Sequence, residues 1–273
     1  MLATAYPHAV RLLGFSPEDT DEIATVLADA PLPGAGYFCL SEDSLQEPDL
    51  VIANGADLQA LALLAAAQPG PLLPAVVVGE ASSLLAVPHL PLPVDPDELF
   101  ALLDALMARR AQALAGGAAA PALPERRRRP RLDYDLTDPS EYLALRKAPP
   151  TGAVLLVDTD GQLREHIVPL LAPRRVSVEW TDSAALAVSL CEETPVALVL
   201  VNTATPGLDP YQLCAEIKAT PKGLRIAVVL LAAADFTFDR ERARSAGVRG
   251  YLDKPVSDRN LLALLQKMLS LGA

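Results

Sequence analysis

The chain has 273 residues, of which 51% are apolar and 4% are aromatic, and its formal net charge at pH 7 is −11. This length predicts about two domains, with cores built mainly from leucine, valine and alanine. Residues 1–120 hold fifteen acidic and three basic residues, so this part of the chain is not expected to bind nucleic acid.

The start of the chain and its cysteines exclude several other classes of protein. The first residues lack the basic and apolar regions of a signal peptide, and no uninterrupted apolar run is long enough to span a bilayer. Cys39, Cys191 and Cys214 show no metal-ligand spacing, which predicts free thiols and no metal site. We expect a cytoplasmic protein with the Ala, Pro, Leu and Arg bias of a GC-rich bacterial genome.

Residues 8–110 are predicted to form a first domain, a parallel sheet with helices on both faces. Apolar runs that end in Gly, Pro or Asn predict its strands, and Ser16 is the predicted N-cap of its first helix. The strands are predicted at 10–14, 36–40, 49–54 and 74–78, and the helices at 17–30 and from 93 onward.

Residues 111–150 predict a linker, because small residues and prolines are frequent there. Apolar side chains after residue 132 favour docking on a domain, with a helix at 139–147 and Asp138 as its N-cap. The basic run has two interpretations, an anionic partner or a solvated segment that pairs with the acidic first domain. We expect the second, since no aromatic residues alternate with the basic ones to stack on bases. The run consists of Arg126, Arg127, Arg128 and Arg129.

Residues 151–273 predict a second domain of five strand–helix units. The carboxyl ends of parallel strands form a crevice, where Asp158, Asn202 and Lys254 are expected to converge. The strands are predicted at 153–158, 176–180, 197–202, 226–232 and 250–252, and the helices at 162–171, 184–193, 211–219, 240–246 and 258–271.

Three blocks of the second domain resemble, in order and spacing, the receiver domain of bacterial response regulators. They are VLLVD at 154–158, the apolar run at 196–202 with its Thr-Pro-Gly turn, and GYLDKPV at 250–256. The resemblance implies a doubly wound, flavodoxin-like α/β fold of three layers with strand order 2-1-3-4-5. A weaker resemblance over 8–110 implies two tandem copies.

The resemblance also implies a phosphorylation site in which the residue at Asn202 is normally an aspartate that accepts a phosphoryl group. An amide oxygen is a much weaker nucleophile than a carboxylate and brings no charge to a hard cation. The family has a second acidic residue at Thr159 and Ser or Thr at Ala232, so only Asp158 and Lys254 match. We therefore expect no enzymatic activity, no cofactor, and weak or absent Mg²⁺ binding.

Alternatives remain open for two of these positions. A displaced carboxylate, Asp160 or Asp209, could accept the phosphoryl group in place of Asn202. Lys254 could contact a bound anion or form an ion pair with Asp158, and without a phosphoryl group the ion pair is favoured. In the first copy Phe15, Asn54 and Leu92 occupy the places of Asp158, Asn202 and Lys254, so none of the chemistry is retained there.

The last helix of the second domain carries a broad apolar stripe. In the receiver family this helix and the neighbouring fifth strand form the usual dimer surface. The stripe therefore predicts either an interaction surface or a wide face that packs on the domain's own core. The surface residues are predicted to be Leu261, Leu262, Leu265, Met268, Leu269 and Tyr251.

These features predict a non-enzymatic signalling adaptor of two tandem receiver-like domains, acting without Asp phosphorylation by binding other signalling proteins. Homodimerisation and pairing of its two domains are both compatible with this function. Two alternatives remain, a receiver-like domain that senses a small ligand at either degenerate site and a receiver phosphorylated on a displaced carboxylate. The sequence identifies neither the partner nor an upstream kinase.

Overall fold

The computed structural model describes residues 6–31, 35–80, 85–117, 152–159 and 161–269. The chain divides into two compact units, which are referred to below by their sheets as the first and second domain. The predicted helix at 139–147, the four linker arginines and Asp160 lie outside the described residues.

The first domain is built on a five-stranded parallel sheet in the order β2-β1-β3-β4-β5. Ser16 caps the first helix by accepting a hydrogen bond from the N–H of Asp19 (3.1 Å), as predicted. The third helix runs past residue 110, so the predicted linker begins inside a helix. The elements are β1 (His8–Leu13), α1 (Pro17–Ala28), β2 (Tyr37–Cys39), β3 (Leu50–Asn54), α2 (Leu58–Ala67), β4 (Ala75–Val78), β5 (His89–Leu90) and α3 (Pro96–Gly117).

The second domain is built on a five-stranded parallel sheet in the order β10-β9-β8-β6-β7. Counted within each domain, both sheets have the strand order 2-1-3-4-5, which confirms the predicted fold class. The elements are β6 (Ala153–Val157), α4 (Gln162–Leu171), β7 (Val178–Thr181), α5 (Ala184–Glu193), β8 (Val196–Asn202), α6 (Pro210–Ala219), β9 (Ala227–Ala232), α7 (Arg240–Ala246), β10 (Gly250–Asp253) and α8 (Asp258–Met268).

The central strands of the second sheet are buried on both faces. Successive side chains of a strand point to opposite sides of the sheet, so each central strand contributes to two cores. Leu198 and Leu200 of β8 pack in the core that includes the apolar side chains of α4 and α8. Val199 and Val201 of the same strand pack in the core that includes those of α5, α6 and α7. A strand buried on both faces has a continuous run of apolar residues, which is why β8 could be predicted from the sequence.

The first domain departs from this pattern between β2 and β3. Residues 40–49 cross from one strand to the other without a helix, whereas α5 makes the equivalent crossover in the second domain. Arg11 of β1 is buried here, and its guanidinium donates hydrogen bonds to the carbonyls of Ser41 (3.1 Å) and Glu42 (2.8 Å). The buried arginine thereby satisfies carbonyl groups that have no helical partners in this crossover.

The predicted interaction surface on α8 is wrong for most of its residues. Leu261, Leu265, Met268 and Leu269 are each at most 4% exposed, and they pack in the same core as Ile167 of α4. Tyr251 is also buried, with its ring centroid 4.1 Å from that of Phe238. Of the six residues only Leu262 is partly exposed. The broad apolar stripe of α8 therefore packs on the domain's own core, which is the second interpretation of this pattern.

A helix that crosses a bilayer needs about 20 predominantly apolar residues. The longest of them, α3, carries Asp97, Glu98, Asp104, Arg109 and Arg110 along its 22 residues. In the part of the chain that the structure describes, no helix is both long and apolar enough to span a membrane.

A buried ion pair in the first domain should make a large contribution to its stability. Asp49 accepts the N–H of Ala9 (3.0 Å) and pairs with the guanidinium of Arg110 (2.7 Å), and both side chains are largely buried. We expect Arg110→Met to lower the free energy of unfolding by about 3–5 kcal/mol, because it leaves a buried carboxylate without its cation. Native-state hydrogen exchange of β1 and β3 measures this loss. Exposed Arg109→Met is the control, and equal effects of the two substitutions would contradict the prediction.

The N-cap of α6 gives a prediction for the second domain. Asp209 accepts the N–H groups of Tyr211 (2.9 Å) and Gln212 (3.2 Å) and pairs with Arg242 (2.9 Å). Partial burial acts to raise the pKa of Asp209, but the hydrogen bonds from Gln212 and Arg242 outweigh it, so the pKa is lowered. We expect Asp209→Ala to cost about 1 kcal/mol and Asp209→Asn less, since asparagine also caps helices.

Urea unfolding followed by the fluorescence of Trp180, the one tryptophan of the chain, measures these losses in the second domain. A lowered pKa stabilises the folded state above the unfolded pKa and ceases to do so as the pH falls through the folded pKa. The gap between wild type and Asp209→Asn should therefore close at acidic pH below the ordinary value for Asp. A gap that widens on acidification would contradict the assignment.

Candidate functional site

The carboxyl edge of the second sheet brings together three side chains that are far apart in sequence. Asp158 follows β6, Asn202 is the last residue of β8, and Lys254 follows β10. The parallel registers align these strand ends, since Val157 pairs with Val201 in adjacent strands. The convergence predicted from the strand pattern is therefore present in the structure.

The side-chain amide of Asn202 links the two charged groups. Its Nδ2 donates to Oδ1 of Asp158 (2.6 Å), and its Oδ1 accepts from Nζ of Lys254 (2.8 Å). The same Oδ1 accepts the N–H of Ala204 (3.0 Å), and Oδ1 of Asp158 accepts the N–H of Thr159 (3.0 Å). Asp158 is 4% exposed and Asn202 is 8% exposed, so these contacts lie inside the domain.

An amide is suited to this position because it has a donor and an acceptor at its two ends. The donor faces a carboxylate and the acceptor faces an ammonium group, so the buried Asp158 and the partly buried Lys254 each form a hydrogen bond with the amide. A carboxylate at position 202 would instead place two like charges beside each other, which raises the pKa of one of them unless a cation is bound. Asn202 therefore relieves the repulsion that the family's aspartate would create next to Asp158.

This geometry also bears on the ion pair expected between Lys254 and Asp158. The side-chain amide of Asn202 lies between the two charged residues and is hydrogen-bonded to both. Nζ of Lys254 is thus held against the side chain that stands at the phosphoryl-acceptor position.

The fold family implies Mg²⁺ at this crevice, but the described donors do not fit it. A hard cation needs several oxygen ligands, and Mg²⁺ demands near-octahedral geometry. Here Asn202 turns its N–H, and not its oxygen, toward Asp158, while its oxygen is taken by Lys254. Among the residues that the structure describes, no three His, Cys, Asp or Glu side chains are grouped to hold a metal.

The second domain also has no Ser or Thr hydroxyl at the position where the family carries one, the end of the fourth strand. Ala232, at the end of β9, is buried and has no hydroxyl group. The hydroxyl of Thr203 donates to the carbonyl of Leu231 (3.2 Å) and accepts the N–H of Ala233 (2.9 Å). Thr203 therefore ties the end of β8 to β9. Sequence reasoning missed this role, since a threonine after a strand gives no signal of the strand it contacts.

Asp209, the described alternative acceptor, is committed to other contacts. Its carboxylate caps α6 and pairs with the guanidinium of Arg242. A carboxylate that accepts two backbone N–H groups and an arginine is a weaker nucleophile than a free one, because each donor withdraws electron density. The other alternative, Asp160, is not among the described residues.

The equivalent edge of the first sheet also brings its three predicted residues together. Phe15, Asn54 and Leu92 line one cavity of about 500 Å³. Nδ2 of Asn54 donates to the carbonyl of Gly14 (2.9 Å), and its Oδ1 accepts the N–H of Ala56 (3.0 Å). Asn202 accepts from Ala204 in the same way, two residues ahead, so the two asparagines form matching local turns.

Comparison with known proteins supports the assignment made from this geometry. A model of the response regulator receiver domain matches residues 154–266. An uncharacterized 14.6 kDa protein in the sodA1 3' region of Leptolyngbya boryana is 30% identical over 114 residues, which cover 42% of this chain and 87% of that protein. The heme response regulator HssR of Staphylococcus aureus (strain bovine RF122 / ET3-1) is 28% identical over 115 residues, covering 42% of this chain and 50% of HssR.

The chain thus spans about half the length of HssR. A similar solved structure is the receiver domain of the sensor histidine kinase PA1611 from Pseudomonas aeruginosa PAO1, crystallised with magnesium in its active-site cleft. The two sequences are 28% identical, the alignment covers 44% of this chain and 98% of the PA1611 chain, and the TM-score is 0.39. The family match covers the second domain and agrees with the strand order of its sheet, and the Leptolyngbya relative is matched over most of its own length. The chain belongs to the response regulator receiver family.

Proposed function

We propose that the second domain is a signalling module that works without phosphorylation of an aspartate and acts by binding a partner protein. The observation that carries this proposal is the position of Asn202, whose amide is hydrogen-bonded to both Asp158 and Lys254. The residue at the phosphoryl-acceptor position thus has no carboxylate, and its oxygen is already held by the lysine.

The energetic consequence concerns how such a domain is switched. A phosphoryl group on an aspartate biases a two-state element by adding charge. Without this input, the equilibrium between the two states changes only if a partner or ligand binds one of them more tightly. The buried network around Asn202 supplies its own hydrogen bonds, so it favours a single arrangement of the crevice in the absence of phosphate.

The remaining features of the proposal follow from the same chemistry. The chain would be a non-enzymatic, cytoplasmic adaptor that needs no cofactor and does not bind nucleic acid. Its partners would be signalling proteins, with a homodimer or pairing of its own two domains as further forms. In this proposal the buried stripe of α8 stays in the core, and the partner contacts another surface.

The first test is phosphorylation by acetyl phosphate and Mg²⁺, followed by intact mass. We expect wild type to stay unmodified and Asn202→Asp to gain one phosphoryl mass, because the substitution restores a carboxylate nucleophile between Asp158 and Lys254. Labelling should be slow, since Thr159 and Ala232 replace two further family residues.

The matched control is Asn54→Asp, which places a carboxylate at the same point of the first domain. It should stay unmodified, because Phe15 and Leu92 there replace the acidic residue and the lysine. Labelling of wild type would overturn the proposal and indicate a displaced carboxylate, and peptide mapping would then distinguish Asp160 from Asp209.

A second test measures Mg²⁺ binding through Trp180. The ring of Trp180 lies beside Gly161, since a Cβ placed on that glycine would be 3.7 Å from Cε2 of the ring. Gly161 is close in sequence to Asp158, so the fluorescence of Trp180 should report a cation at this loop. We expect no saturable change in wild type and a saturable change in Asn202→Asp, because the second carboxylate adds charge and an oxygen ligand. Asp158→Asn in the Asn202→Asp background should abolish the change. Saturation of wild type over the same Mg²⁺ range would contradict the prediction.

A further inference from the structure

The first domain contains a cavity at the place where its relatives' fold would hold the phosphorylation site. The cavity has a volume of about 500 Å³ and lies between α1, the ends of β3 and β4, and the segment from β5 to α3. Small-molecule sites are typically clefts of about 300–1,000 Å³ with mainly apolar walls and a few polar groups. Its apolar lining consists of Phe15, Ile23, Val26, Ile52, Val78, Leu92, Pro93, Val94 and Leu99.

The cavity is open to solvent, and much of its apolar wall is accessible. Leu92, which lines the cavity, is 66% exposed, so an apolar side chain stands at the opening. Burial of apolar surface is favourable by roughly 25 cal/mol per Å². A ligand with an apolar body would therefore gain free energy by covering this leucine.

The polar groups of the cavity have one sign of charge. Asp19 and Glu22 of α1 are the charged side chains among the described residues that line it. Asn54 is also present, but its Nδ2 and Oδ1 contact the backbone of Gly14 and Ala56. The hydroxyl of Ser16 donates to Oδ2 of Asp19 (2.7 Å), which orients that carboxylate at the start of α1.

Positive charge is scarce in the surrounding domain. Residues 1–120 contain no lysine and three arginines. Of these, Arg11 and Arg110 are buried against Glu42 and Asp49, respectively, and neither lines the cavity. No Lys or Arg among the described residues lines the cavity, so an anionic ligand would meet two carboxylates there, while a positively charged one would be attracted.

We propose that this cavity binds a small hydrophobic molecule that carries one positively charged group, such as an aromatic or aliphatic amine. The apolar body lies against Phe15, Ile52 and Leu92, and the ammonium group lies at the rim with Asp19 and Glu22. The site thus occupies the position of a phosphorylation site but selects the opposite charge. This inference is independent of the proposed function, because every residue that it uses lies in the first domain.

The experiment uses the full chain and three probes of matched size, namely naphthylmethylamine, naphthylmethanol and naphthoate, in isothermal titration calorimetry. We expect the amine to bind at least about threefold more tightly than the alcohol, and naphthoate to bind most weakly, since each partly exposed charge contact is worth up to about 1 kcal/mol. High salt should reduce the preference for the amine and leave the alcohol unchanged.

Two pairs of variants locate the site. Glu22→Gln should lower the affinity for the amine and not for the alcohol, while Glu18→Gln, exposed one turn earlier on the same helix and outside the cavity, should change neither. Leu92→Arg should abolish binding of the amine by placing a cation in the opening. Leu58→Arg, at a leucine that is 76% exposed and outside the cavity, is its control.

The proposal would be overturned by equal affinities for amine and carboxylate, by the absence of binding for all three probes, or by equal effects of Leu92→Arg and Leu58→Arg. Circular dichroism of both leucine variants establishes that they are folded before the comparison. None of these outcomes changes the labelling expected of wild type and Asn202→Asp, which concerns residues of the second domain.

Discussion

The hydrogen bonds of Asn202 are the constraint on which the second domain's crevice depends. Asp158 is buried at the end of a central strand, and its carboxylate needs a partner there. In a phosphorylatable receiver that partner is a cation, which also offsets the charge of the acceptor aspartate. Here the amide of Asn202 contacts both Asp158 and Lys254, so each has a hydrogen-bond partner within the protein. The amide at the acceptor position and the hydrogen bonding of its two neighbours are thus one structural feature.

The two domains place different residues at the strand ends that correspond to the phosphorylation site of a receiver. Both retain the strand order and an asparagine that accepts the N–H two residues ahead. The second domain keeps Asp158 and Lys254, and their charges are bridged by the amide. The first domain has Phe15 and Leu92 at these places, and an apolar cavity takes the place of the bridge. The strand ends therefore carry a polar network in the second domain and line an apolar cavity in the first.

The sequence predicted those parts of the structure that local signals determine. The bounds of α4, α5 and α7 were predicted from apolar periodicity, and Ser16 was predicted as a cap. The sequence did not reveal that residues 40–49 cross without a helix, since the buried Arg11 that satisfies their carbonyls lies in another strand. Nor could it show that the leucines of α8 are buried, because a broad stripe fits both a wide core and a surface. In each case the deciding contact joins residues distant in sequence.

The same limit applies to the candidate site, and it explains why the substitution at 202 has to be considered together with its neighbours. The motif spacing placed Asp158, Asn202 and Lys254 at one edge of the sheet, but spacing carries no information about which end of the amide faces which charge. With the donor toward Asp158, the residue acts as a bridge, whereas the reverse orientation would set two oxygens against each other. The charges on either side fix the orientation, since only one arrangement gives each a favourable hydrogen bond. The retained Asp158 and Lys254 are therefore reasons for asparagine at this position as much as remnants of a phosphorylation site.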